Sequence, residues 1–183
     1  MKTLGLVVLS LTAALIIAAS AITFTSYSYN AGSPEACTGS PADKGTCAKP
    51  ECHKGTASFK AGLITSTIPV AGYTAGQVYT ITAKVTGAAT AKKFGFQVSP
   101  QNSTGKLLGT MVPINTTETK LTNKGKYICH KDLGTEGKGS KTWTFKWTAP
   151  AAGTGKVTFY GCFLIGGKPE LIYTSKLEIK EAV

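Results

Sequence analysis

The sequence predicts an all-β protein, an antiparallel β-sandwich of about seven or eight strands with a hydrophobic N-terminal helix as anchor or signal. Three observations predict it. Apolar residues recur at every second position in short segments, the pattern of a half-buried strand. Turn residues interrupt those segments at regular intervals. Charged residues are only 16% of the 183, and Gly and Thr abound where long helix formers are sparse, a composition that leans towards strands.

The leader comes first. Lys2 is followed by Leu4 to Phe24, 21 residues without a charge. That run is long enough to cross a bilayer. It also contains Ala19-Ser20-Ala21, the small-residue site at which an export signal is cut. Under either reading residues from about 25 onward are exported, because the one flanking positive charge precedes the apolar run. The expected location is the periplasm or the outer face of the membrane, with residues 4–24 as anchor. Residues 25–57 are dense in Ser, Gly, Pro, Asn and Asp, show no apolar period, and hold Cys37, Cys47 and Cys52. A loop that long is usually functional or pinned by a cross-link.

Residues 58–183 form the expected sandwich. Val78 to Thr86 places Tyr79, Ile81, Ala83 and Val85 on one face. Phe94 to Ser99 aligns Phe94, Phe96 and Val98, and Lys141 to Thr148 aligns Trp143, Phe145 and Trp147. Lys156 to Ile165 aligns Val157, Phe159 and Phe163, with Cys162 on the opposite parity. Leu171 to Lys180 aligns Leu171, Tyr173, Leu177 and Ile179. Weaker runs lie at 59–68, 106–112 and 126–130. The Trp143/Phe145/Trp147 stripe reads as core.

The charge narrows the partners. Twenty basic residues against nine acidic ones give +11, and all twenty are Lys. A chain without Arg lacks the planar fork that reads phosphate and guanine, which argues against nucleic acid. The excess instead suits an anionic membrane surface or an acidic protein partner. Nothing reads as catalytic machinery. There is no Gly-x-Ser-x-Gly elbow and no concentrated pair of acids.

Three stretches carry a family resemblance. Ser66-Thr67-Ile68-Pro69 through Tyr73 and Tyr79-Thr80-Ile81, then Phe94-Gly95-Phe96-Gln97-Val98, then residues 141–160 (KTWTFKWTAPAAGTGKVTFY), resemble the bacterial relatives of the Reeler domain across roughly residues 56–180. The resemblance implies an Ig-like sandwich of exported proteins. In that branch a Gly-Ser/Ala-Pro element and a C-x-x-C-H element often precede the sandwich. Here Gly39-Ser40-Pro41 is followed by Cys47-Ala48-Lys49-Pro50-Glu51-Cys52-His53, with four residues between the cysteines instead of two.

That widened C-x4-C-H motif suggests one covalent haem of the c type. Attachment needs two thiols for the two vinyl groups and a His beside the second thiol to reach the iron. Cys47 and Cys52 are the expected attachments and His53 the proximal ligand. His130 is favoured as sixth ligand, with Met111 as the alternative. Bis-His ligation gives a lower potential than His/Met. The protein is then an electron carrier for an acidic redox protein or an integral membrane electron-transfer complex. The rival is a cofactor-free accessory subunit of a membrane complex in which Cys47 and Cys52 form a short-loop disulfide of modest stabilising effect. Zinc on Cys37, Cys47, Cys52 and His53 is disfavoured because adjacent side chains point apart in extended chain. Type-1 copper would need both His to converge with a Cys near Met111. Cys129 and Cys162 are the expected inter-strand disulfide, which leaves Cys37 over.

Overall fold

The computed structural model describes residues 31–49 and 52–182; the hydrophobic helix expected at 4–24 lies outside them. Among the described residues no helix is long and apolar enough to cross a membrane. The strands are β1 (Ser58–Phe59), β2 (Ile64–Ser66), β3 (Val78–Thr86), β4 (Phe94–Gln101), β5 (Thr110–Pro113), β6 (Thr119–Thr122), β7 (Tyr127–His130), β8 (Ser140–Thr148), β9 (Val157–Ile165) and β10 (Leu171–Ile179). They form two sheets, a six-stranded one ordered β1-β10-β9-β4-β7-β6 and a four-stranded one ordered β2-β3-β8-β5. All pairings are antiparallel except β1 with β10. The sandwich expected from the alternation is therefore present, with more strands than the apolar runs revealed. β6 (TKLT) is a short, polar edge strand that carries no run of its own.

The two sheets bury the faces that the period-2 pattern marks. Ile81, Ala83 and Val85 of β3 and Trp143, Phe145 and Trp147 of β8 meet Phe94, Phe96 and Val98 of β4 and Val157, Phe159 and Phe163 of β9. Phe96 stacks on Trp143 at 4.3 Å between ring centres. Trp147 meets Tyr73 and Phe159 edge-on at 5.5 and 5.1 Å, and its indole N–H donates to the Leu108 carbonyl at 3.0 Å. Gly109 makes that approach possible. It has φ +74°, and a Cβ there would lie 2.5 Å from the indole nitrogen.

One strand departs from simple alternation. β4 is buried at all eight positions. Phe94, Phe96 and Val98 face the other sheet, whereas Gly95, Gln97, Ser99 and Gln101 face the opposite way. A strand buried on both faces needs a second cover. Here the cover is the irregular segment before β1.

Candidate functional site

A single row of side chains crosses the outer face of the large sheet. The register aligns Thr174 of β10 with Cys162 of β9, Cys162 with Gln97 of β4, Gln97 with Cys129 of β7, and Cys129 with Lys120 of β6. Residues 32–47 lie along this row and back. Gly32 approaches Lys120, and the Ser33 N–H donates to the Cys129 sulfur. The Cys37 N–H donates to Gln97 Oε1 at 2.8 Å, while Gln97 Nε2 donates to the Pro34 carbonyl at 2.6 Å. Gly39 packs on Thr174, and the Cys47 N–H returns to the Cys162 sulfur at 3.2 Å. The turn between these passes is held by the nearly buried carboxylate of Asp43. It accepts from Thr38 Oγ1 at 2.5 Å and from the Tyr127 hydroxyl at 2.7 Å. Burial, then the bond to that carboxylate, pushes the Tyr127 hydroxyl well above its ordinary pKa.

Where the segment leaves the row, a cavity of about 470 Å³ opens between it and the ends of β4, β7 and β9. Such a volume suits a small organic ligand or cofactor. Leu164 supplies apolar wall, β4 borders the space along Phe94-Gly95-Phe96, and the cavity also receives Cys37, Cys47, Cys52, His53 and His130. Both imidazoles are held through Nδ1. His53 Nδ1 lies 3.2 and 3.1 Å from the two carboxylate oxygens of Glu170. His130 Nδ1 lies 3.2 Å from the Phe96 carbonyl oxygen and 3.1 Å from the Phe96 nitrogen. In one tautomer Nδ1–H donates to that carbonyl and the lone pair is on Nε2. In the other, Nδ1 accepts from the Phe96 N–H. Gly95 is what lets the ring lie there, because a Cβ at that position would sit 3.1 Å from His130 Cε1.

The thiols are unequal. The Cys47 thiol hydrogen-bonds the Cys162 sulfur; that bond first, and burial second, hold Cys47 well above the ordinary thiol range. The same bond, with the N–H groups of Cys47 and Phe163, draws Cys162 down in spite of its burial. Burial raises Cys37, partly offset by Lys49, and burial raises Cys129.

Of the residues expected from the sequence, Cys47, Cys52, His53 and His130 all line the one cavity. Met111 does not. It is 1% exposed in the sandwich core, opposite Trp147 in the register, because its strand belongs to the other sheet. The expected Cys129–Cys162 disulfide is also not formed by this topology. Gln97 stands between the two cysteines, so they are two inter-strand spacings apart, about 9–10 Å, beyond the ~7 Å limit for a bridge. That the two cysteines lie on separate strands says nothing of strand order, which here sets β4 between β7 and β9. Among the described residues no group of three or more His, Cys, Asp and Glu side chains is arranged to hold a metal ion directly, zinc on Cys37, Cys47, Cys52 and His53 included. Sequence reasoning missed Gly95, Gln97 and Glu170. The first two had a signal, a glycine and an amide at the outward positions of an otherwise aromatic strand; Glu170 had none.

No protein-family profile matches this sequence, and no curated protein matches it. Solved structures do. The Reelin-N domain of F-spondin aligns at 20% identity over 69% of this chain and 91% of that one, with a TM-score of 0.53. The human F-spondin reeler domain aligns at 20% identity over 69% of this chain and 94% of that one, with a TM-score of 0.50. These likenesses support a Reeler-like β-sandwich as the fold.

Proposed function

We propose that the cavity holds one covalently attached c-type haem and that the protein passes single electrons at the outer face of a membrane. One observation carries the reading: two histidines and two cysteines from distant parts of the chain, expected as ligands and anchors, line the same apolar-walled cavity. The anchoring of the rings fits this use. A His that ligates a metal through one nitrogen commonly donates its other N–H to a carboxylate or backbone carbonyl, which sets tautomer and orientation. Glu170 and the Phe96 carbonyl are such acceptors.

A bound haem supplies a reversible one-electron iron couple. In this reading His53 and His130 would hold the iron, and the Cys52 and Cys47 thiols would anchor the porphyrin. Leu164 and the covering segment would keep water from the centre, which tunes the potential. Lys92 and Lys93 at the cavity put cations near its acidic substituents, with Lys93 already paired to Glu136. The partner is an acidic redox protein or membrane complex, met by the lysine surface, and residues 4–24 are the anchor. An enzymatic activity forms no part of this reading.

The test is a pyridine haemochrome spectrum and intact mass of protein exported in cells that attach haem. The expected result is a c-type band and a haem-sized mass increment, with the spectrum of His130→Ala shifted from that of the parent. A band-free spectrum with unmodified mass would reject the reading, and the sandwich would then be a cofactor-free accessory subunit.

A further inference from the structure

We propose that Cys47 and Cys162 form a redox gate on the cavity: in the exported, haem-free chain they join in a disulfide, which must be opened before Cys47 can anchor a cofactor. The cross-link stands on the cysteine geometry alone, whereas its gating role rests on the haem reading. Three features converge on this pair. The Cys47 N–H reaches the Cys162 sulfur at 3.2 Å, and each thiol shifts the other's titration. Cys129, the other cysteine in the same row of the sheet, is screened from Cys162 by Gln97. An exported location permits disulfides to persist.

The pair is also unequal in a useful way. Cys47 is half-buried and lines the cavity, whereas Cys162 is 0% exposed. The Cys47 N–H on the Cys162 sulfur favours its thiolate, the nucleophilic form in exchange, and the Cys162 thiol is drawn below its ordinary pKa. A disulfide-bearing oxidant, R–S–S–R, exchanges with the accessible Cys47 thiol and releases one RSH. The Cys162 sulfur then attacks the Cys47 sulfur, breaks the mixed disulfide and expels the second R–S⁻, which takes up the Cys162 proton. Two cysteine thiols are oxidised and one external disulfide is reduced to two thiols. Afterwards Cys47 has no S–H to add to a vinyl group, while Cys52 and His53 are untouched. The bond also closes a loop of 115 positions and ties the cover segment to β9, which places it among the more stabilising loop lengths. A dithiol reductant reverses each step.

The experiment has two arms. In the first, full-length chain exported from cells without haem-attachment machinery is unfolded in denaturant with N-ethylmaleimide present, without reductant, and cut after Lys and Glu. Cutting after Glu51 separates Cys47 from Cys52. The expected result is a peptide containing Cys47 linked to one containing Cys162, with Cys52 and Cys129 alkylated. Alkylation of both Cys47 and Cys162, a Cys47–Cys52 link or a Cys37–Cys162 link would overturn the proposal. In the second arm, haem loading is followed in cells with the machinery, with and without an added dithiol. Wild type and Cys129→Ser should need the dithiol for full loading, and Cys162→Ser should lose that need. Persistence of the need in Cys162→Ser would overturn the gate. Failure of every variant to take haem even with dithiol would reject the haem reading instead, and the peptide map would still decide the cross-link.

Discussion

The two faces of β4 are built by different physics. The inner face, Phe94, Phe96 and Val98, is closed by apolar packing against the four-stranded sheet, a force proportional to buried area and indifferent to direction. The outer face, Gly95, Gln97, Ser99 and Gln101, is closed by an irregular segment that satisfies named donors and acceptors one at a time. Apolar closure tolerates small displacements, whereas hydrogen bonds fix position and direction. The chemistry sits accordingly on the outer side, where His130, Cys47 and Cys162 are held by directed contacts.

Substitutions can break this contrast. Trp147→Ala removes a fully buried indole and its bond to Leu108 and should cost about 3–5 kcal/mol in denaturant unfolding, with the whole domain unfolding in one step. Gln97→Leu should cost about 2 kcal/mol by leaving the Cys37 N–H and the Pro34 carbonyl without this partner. Its signature differs: hydrogen exchange and proteolysis should rise over residues 31–57 before the sandwich opens. If both variants lose protection everywhere at once, the two faces form one cooperative unit and the contrast fails. Tyr127→Phe deletes a bond to the Asp43 carboxylate and should cost about 1–2 kcal/mol, again read as exposure of the cover segment.

Two smaller effects sharpen the contrast. Gly95→Ala adds a methyl at 3.1 Å from the His130 ring. It should leave the melting temperature almost unchanged yet displace the imidazole, seen as altered His130 chemical shifts, and as a shifted spectrum if haem is bound. The last effect lies at the end of the sandwich, away from both faces. The Gly155 and Gly153 N–H groups hold the Glu181 carboxyl below its usual pKa. A lowered folded-state pKa means the contribution is present above the ordinary Glu value and is lost as pH falls through the folded one. Glu181→Gln should therefore lower the melting temperature slightly at neutral pH, and the difference should shrink as pH falls below the ordinary Glu range.

The parts of the fold governed by periodicity were legible in the chain. β3 was read with its observed limits, and the inward residues of β8 and β9 were placed on the correct face, because alternation records which side meets apolar surroundings. Burial of β4 on both sides was not legible. Gln97 and Ser99 look solvent-facing in a half-buried strand, and nothing local says that residues 32–47 lie over this face. β6 escaped because an edge strand needs no apolar run.

The site divides along the same line. The primary sequence by itself specified the cysteines and histidines of the proposed site, Cys47, Cys52, His53 and His130, and the parity that turns Cys162 outward. Those are properties of residue type and of a two-residue repeat, and both are local. Only tertiary structure decided which of them meet. Strand order put Gln97 between Cys129 and Cys162, sent Met111 into the core, and brought Cys47 instead to Cys162 across the cover segment. Those outcomes depend on which strands become neighbours, and neighbours are chosen by the packing of the whole sandwich.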